Sequence, residues 1–253
     1  VIDSIGVRRD TGAVKALAAR LGDPDPEVAQ AAARALGSIA SSASAKALRS
    51  ALHDAPATNQ SAVCEGLLRC AESFSAKGHT KKALAIYELL RPMPLPAQIR
   101  LAAWRGAILN RGKKALPLLL EALDSTDYPL SAAAIRISQE LPGRQVTLAL
   151  AGRLPKLHPA ERQVLLAQAL ARRGDIAALP ALFALAASNG ATQARLAAIR
   201  ALPQIGYPTA VPVFLELLGD SNPEVAEAAK DGLGSLPGPQ ADNAVMNLLA
   251  RGN

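Results

Sequence analysis

Histidine occurs only three times in this 253-residue sequence, at His53, His79 and His158. Each lies in or beside a different turn, with no second His or Cys at ligand spacing, which argues against a metal centre. Cysteine is scarcer still. Cys64 and Cys70 stand six residues apart on one expected helix, about 9 Å along its axis, too far for a disulfide. Both fall at apolar positions of a repeating pattern, so buried free thiols are expected. No glycine-rich phosphate loop, nucleophile elbow or zinc-protease helix motif is present. Carboxylate pairs such as Asp23/Asp25 and Asp124/Asp127 sit at expected helix starts, where caps are the ordinary use. With these groups missing, no nucleophile, base and stabiliser can be assembled from spacing. The expectation is a chain with no catalytic residues, no metal and no cofactor.

Aromatic residues make up 3% of a chain that is half hydrophobic. Alanine and leucine therefore carry the core, and both are strong helix formers. Strand formers are few and no run alternates with period two, which excludes much sheet. The longest uncharged apolar stretch, Ile176 to Ala187, is interrupted by Pro180. It falls short of the roughly 20 residues a membrane span needs. The chain begins with Val1 and shows no leader, so it reads as a soluble piece of a longer protein, of cytoplasm or periplasm.

What is present is internal repetition. Val28-Ala29-Gln30-Ala31-Ala32-Ala33-Arg34-Ala35-Leu36-Gly37-Ser38-Ile39 matches the apolar pattern of Ala194-Arg195-Leu196-Ala197-Ala198-Ile199-Arg200-Ala201-Leu202-Pro203-Gln204-Ile205. A register mark, the exposed residue just before the Ala-Leu pair of each second helix or the place aligned with it, falls at Arg34, Glu65, Arg105, Arg136, Gln168, Arg200 and Asp231. Successive marks lie 31 or 32 apart except for one interval of 40, whose extra residues fall between Ala71 and Ala97. There a helix ending near Lys77 is expected to be extended, followed by the rigid turn Arg91-Pro92-Met93-Pro94-Leu95-Pro96. Apolar positions 28, 32, 35, 36 and 39 form one helical face. Asp23-Pro24-Asp25-Pro26-Glu27 and Asp220-Ser221-Asn222-Pro223-Glu224 combine cap residue, proline and first-turn acid. The chain opens on the end of a second helix, near Ile2–Gly6, and closes on a first helix, near Ala241–Leu249. The expected fold is all-α: an α-solenoid (α-α superhelix) of about seven stacked helix pairs. It is read as a single array over residues 1–253, with partial repeats at both ends and an irregular repeat near 71–112.

Ala210 to Asp220 (Ala-Val-Pro-x-Phe-Leu-x-Leu-Leu-Gly-Asp), followed by Asn222-Pro223-Glu224-Val225, resembles HEAT-like repeats, as does Asp23 through Gly37. These segments look most like the short bacterial type also seen in phycobilin lyase subunits. The resemblance covers nearly the whole chain. It implies that second helices line an inner, concave surface. It also implies an Arg directly after the Val-like position of each second helix. Arg100 and Arg195 match this pattern, whereas Ala29 and Ala226 depart from it.

The formal net charge is +7, and residues 79–114 alone hold eight basic side chains against one acidic. The candidate binding residues follow from that excess and from the register: Arg34, Arg100, Trp104, Arg105, Arg111, Lys113, Lys114, Arg136 and Arg200. Arg34, Arg105, Arg136 and Arg200 share one repeat position and should project from one face. Arg suits carboxylate or phosphate recognition through its planar fork. Trp104 aligns with small or apolar residues of other repeats, which predicts partial burial. The leading functional expectation is a non-enzymatic scaffold that binds a protein or peptide, an acidic one if the basic excess is used. The alternatives are nucleic-acid binding through a basic groove, and an accessory or lyase-like role in an enzyme complex.

Overall fold

The computed structural model describes residues 1–206 and 208–251. Sixteen α-helices and no strand occur among the described residues. After α1 (Ile2–Arg8) the helices alternate as first and second members of pairs. The pairs are α2 (Val14–Ala19) with α3 (Pro26–Ile39), α4 (Ser42–Asp54) with α5 (Ala57–Ala76), and α6 (Thr80–Leu90) with α7 (Ala97–Leu109). They continue with α8 (Ala115–Leu123) and α9 (Tyr128–Ser138), α10 (Arg144–Ala151) and α11 (Ala160–Arg173), and α12 (Leu179–Ala186) and α13 (Thr192–Ile205). The seventh pair is α14 (Val211–Leu217) and α15 (Pro223–Ser235), and α16 (Pro239–Arg251) follows it. The fold is an all-α solenoid of stacked helix pairs. The chain forms two compact units, residues 1–118 and 119–253.

Local sequence sets the helix boundaries. Asp25 Oδ1 accepts the Glu27 N–H at 2.9 Å, and Asn222 Oδ1 accepts the Glu224 N–H at 3.0 Å. In each case proline holds the first helical position, where no N–H is needed. One step upstream, Asp23 and Asp220 accept the backbone N–H of the capping residue itself. Asp124 departs from the cap expectation: it follows the end of α8 and pairs with Arg153 Nε at 3.1 Å, while Asp127 stands at the N-cap of α9. Gly174 and Gly206 end α11 and α13 with positive φ, the left-handed turn that glycine adopts at least cost. α5 runs 20 residues, and the proline turn after α6 delivers the chain to α7.

In unit 1, α3 packs on α1 and most extensively on α5. The contact is glycine-lined: a Cβ built on Gly37 would stand 2.7 Å from Gly66 Cα, and one on Gly66 would stand 2.8 Å from Ala33 O. Backbone meets backbone there. In unit 2, α13 likewise packs between α11 and α15. Three second helices also cover a large residue of their own first helix: Leu48 lies against Gly66, Tyr87 against Gly106 and Phe214 against Gly232, each glycine directly following a register mark, and Leu119, Leu150 and Leu182 are likewise buried on α8, α10 and α12. A Cβ on Gly106 would meet the Tyr87 ring at 2.2 Å, and one on Gly232 the Phe214 ring at 2.5 Å. Cys64 and Cys70 are buried free thiols, and burial pushes their pKa values up to about 11 and about 12. No helix among the described residues is long and apolar enough to cross a membrane.

Candidate functional site

The seven register marks lie on the uncovered side of their helices. Glu65, Arg105, Arg136, Gln168, Arg200 and Asp231 are exposed, and Arg34 is half-buried beside Asp3 of α1, 3.7 Å away. That side is left open because first helices and neighbouring second helices occupy the others.

The nine candidate residues divide between the units, Arg136 and Arg200 in unit 2 and the other seven in unit 1. Trp104 is 8% exposed and lies under the Arg91 guanidinium, 4.5 Å from the ring centroid. The burial expected of Trp104 is present, and the indole has a cationic lid. Arg111 Nη2 donates to Glu88 Oε1 at 2.6 Å, and Arg91 approaches the other oxygen of Glu88 at 3.4 Å. Two charges of the basic segment thus converge on its one carboxylate. Arg100 is half-buried in the first turn of α7. Lys113 and Lys114 are exposed, but in the 3-10 turn that precedes α8 rather than on a second helix. Arg105, Arg136 and Arg200 remain as exposed second-helix arginines, with Arg105 in unit 1 and the other two in unit 2.

A grooved surface in unit 2 runs along α11, α13 and α15. A groove of about 730 Å³ runs between α13 and α15, open to solvent. Its floor is Leu196, Pro203, Ala228 and Gly232; Arg200 and Gln204 form one wall, and Glu224, Glu227 and Asp231 form the other. A second groove of about 620 Å³ runs between α11 and α13 and brings in Gln168 and Arg172. The two share Leu196, Arg200 and Gln204, so one continuous face spans three helices. Its depth comes from small side chains, since Ala197, Ala201, Ala228 and Gly232 leave room that leucine would fill. Pro203, inside α13, has no N–H to bond the Ile199 carbonyl, and its ring lines the groove.

Buried polar latches hold these helices in register. Arg195 is 9% exposed; its Nε donates to Ala186 O at 3.0 Å, and its two terminal nitrogens reach both carboxylate oxygens of Asp220. The Arg195 bond and the Asn222 N–H hold the Asp220 carboxyl below the usual range. Asn222 Nδ2 donates to Thr192 Oγ1 at 3.1 Å, so the start of α15 is tied twice to the start of α13. Arg162 spans α11 to the turn before α9, donating to Ser125 O at 2.8 Å and Thr126 O at 3.2 Å. Arg173 makes four further bonds, among them one to Leu141 O at 2.8 Å. These arginines are consumed by structure, whereas Arg172 and Arg200 face the grooves.

The sequence singles out Arg200 but not the acidic wall: Glu224 stands there as a first-turn acid and Asp231 as a register mark, and Glu227 carries no assignment. Their spacing of three and then four places them on one helical face, and that signal was available. The histidines are exposed and separate. Among the described residues no three His, Cys, Asp or Glu side chains are grouped to hold a metal ion.

A model of HEAT repeats matches residues 1–67 and 179–253, more than half of the chain. No curated protein matches in sequence. Among solved structures, a chain of the Kap95p–RanGDP complex aligns at TM-score 0.57 and 15% identity, over 87% of this chain and 34% of that one. This protein thus spans about a third of that neighbour. Human deoxyhypusine hydroxylase aligns at 0.45 and 16% identity, over 92% and 88% of the two chains. The complex of CpcE and CpcF of phycocyanin lyase from Nostoc aligns at 0.36 and 19%, over 93% and 87%. Identities this low speak to fold alone. With the repeat register, the paired helices and the sequence match in agreement, the chain belongs to the HEAT repeat family.

Proposed function

We propose that this chain is a non-enzymatic scaffold that holds a protein or peptide segment on the inner face of its second helices, centred on α11, α13 and α15. The observation that carries this reading is the continuous grooved face shared through Leu196, Arg200 and Gln204. An open groove with an apolar floor and polar walls accommodates a length of chain better than an enclosed small molecule. The fold shared with a chain of a protein–protein complex is in keeping with it. Panning a random peptide display library on the immobilised chain tests the reading. Enriched peptides should lose binding when Ala228→Trp fills the groove. No enrichment, or enrichment indifferent to that substitution, would overturn it. A catalytic activity of the chain, removed by a point substitution that leaves it folded, would overturn the non-enzymatic part.

An acidic partner engaging Arg105 or Arg136 is a second reading, favoured by the exposure of both side chains at the register position. Charge reversal at both should then weaken its binding more than reversal at Arg8 and Arg9. Strong binding of duplex DNA that steepens as salt falls would replace both readings with a nucleic-acid one.

A further inference from the structure

The groove between α13 and α15 has a polarity opposite to that of the chain that carries it. Glu224, Glu227 and Asp231 line its α15 wall and are all exposed. At 1.5 Å per residue the three carboxylates cover about 10 Å of that wall. Glu227 has Lys230 at 3.2 Å, and among the described residues Glu224 and Asp231 make no ion pair. Beside these carboxylates lies the apolar floor of Leu196, Pro203, Ala228 and Gly232. Among the described residues Arg200 is the one cation of the lining.

Resting on the scaffold reading above, we infer that this groove takes a basic amphipathic segment of a protein partner. Apolar side chains of the segment sit on the floor, and Lys or Arg at a spacing of three and then four residues meets Glu224, Glu227 and Asp231. Charge complementarity carries the assignment. The whole chain is +7 and by net charge attracts acidic molecules. At physiological salt, fields are screened over about 8 Å, so a segment seated in the groove meets the α15 carboxylates rather than the distant excess. A preference for a basic segment is therefore the reverse of what bulk charge would give.

The test uses two fluorescein-labelled 16-residue helical probes. One carries lysine at the stated spacing with leucine and alanine on the opposite face. In the other, glutamate replaces each lysine. Anisotropy at 150 mM salt should show the lysine probe binding at least about tenfold more tightly, since each lost charge contact is worth a fraction of the tenfold step. Glu224→Lys/Glu227→Lys/Asp231→Lys should invert the preference. Glu161→Lys/Glu216→Lys/Asp242→Lys changes net charge equally elsewhere in unit 2 and should leave it in place. The neutral set Glu224→Gln/Glu227→Gln/Asp231→Asn should abolish the preference without reversing charge at the start of α15. Equal affinity for both probes, or equal effects of the two lysine triples, would overturn the inference. If Ala228→Trp removes both probes while the α15 triple changes nothing, the groove stands and its charge assignment falls. If Ala228→Trp changes neither, the scaffold reading falls with it. A dimer in sedimentation velocity that Ala228→Trp dissolves would give the groove to a second copy of this chain and overturn the peptide assignment.

Discussion

Gly232 and Phe214 show how one side chain sets the size of another. In an ordinary helix, Gly→Ala stabilises by up to about 1 kcal/mol through backbone entropy. Here the added Cβ would stand 2.5 Å from the Phe214 ring, and overpacking of this kind costs about 1–3 kcal/mol. Gly232→Ala should therefore destabilise the parent. In a Phe214→Leu background, which restores the leucine–alanine combination of other repeats, the same change should stabilise. Urea melts of the four proteins in the cycle check the change of sign. Asp220 is the residue for pH. Its folded pKa is depressed, so the stability it adds is present above the unfolded value of about 3.9 and disappears as pH falls through the folded value. Asp220→Asn should flatten that acid limb of a stability–pH curve. Cys64 and Cys70, with pKa values raised to about 11 and about 12, should resist iodoacetamide at pH 8 in the native protein and both react in urea.

At the scale of helices, register is the property that sequence carries best. Leu202 is fully buried in α13, and Leu202→Ala should cost about 2–5 kcal/mol, measured by chemical denaturation. A loss under about 0.5 kcal/mol would mean a surface site and a wrong register. The helix pairs were legible because a small–apolar pair recurs at a fixed interval and because caps, prolines and C-terminal glycines mark boundaries locally. The exposure of the marks followed from the same periodicity. The candidate site was not legible, for reasons of distance along the chain. Arg111 finds Glu88 23 residues away, and Arg91 finds Trp104 across the proline turn. A count of basic residues cannot show that these charges are already engaged. Nor does composition show a groove, which exists here where Ala228 and Gly232 of α15 face α13 across a gap.

For the molecule as a whole, stability should be distributed rather than pooled. Helix pairs touch chiefly their neighbours within each unit, so a lesion should stay near its origin. Hydrogen exchange on Leu202→Ala should quicken in α12 to α15 and leave the amides of α3 and α5 protected as in the parent. Uniform loss of protection along the chain would instead describe one cooperative body.

The contact of Gly37 with Gly66 bears on how such a chain can be inherited. Repeat arrays lengthen and shorten by copying and losing units. A unit travels freely when its faces accept any neighbour of the same pattern. The α3–α5 contact withholds that freedom, because neither partner admits so much as a methyl group. A copied helix pair that brought alanine to either position could not settle beside the other at this separation. The two pairs are thus bound to be kept or lost together, and shuffling of units in this chain should find its joints elsewhere.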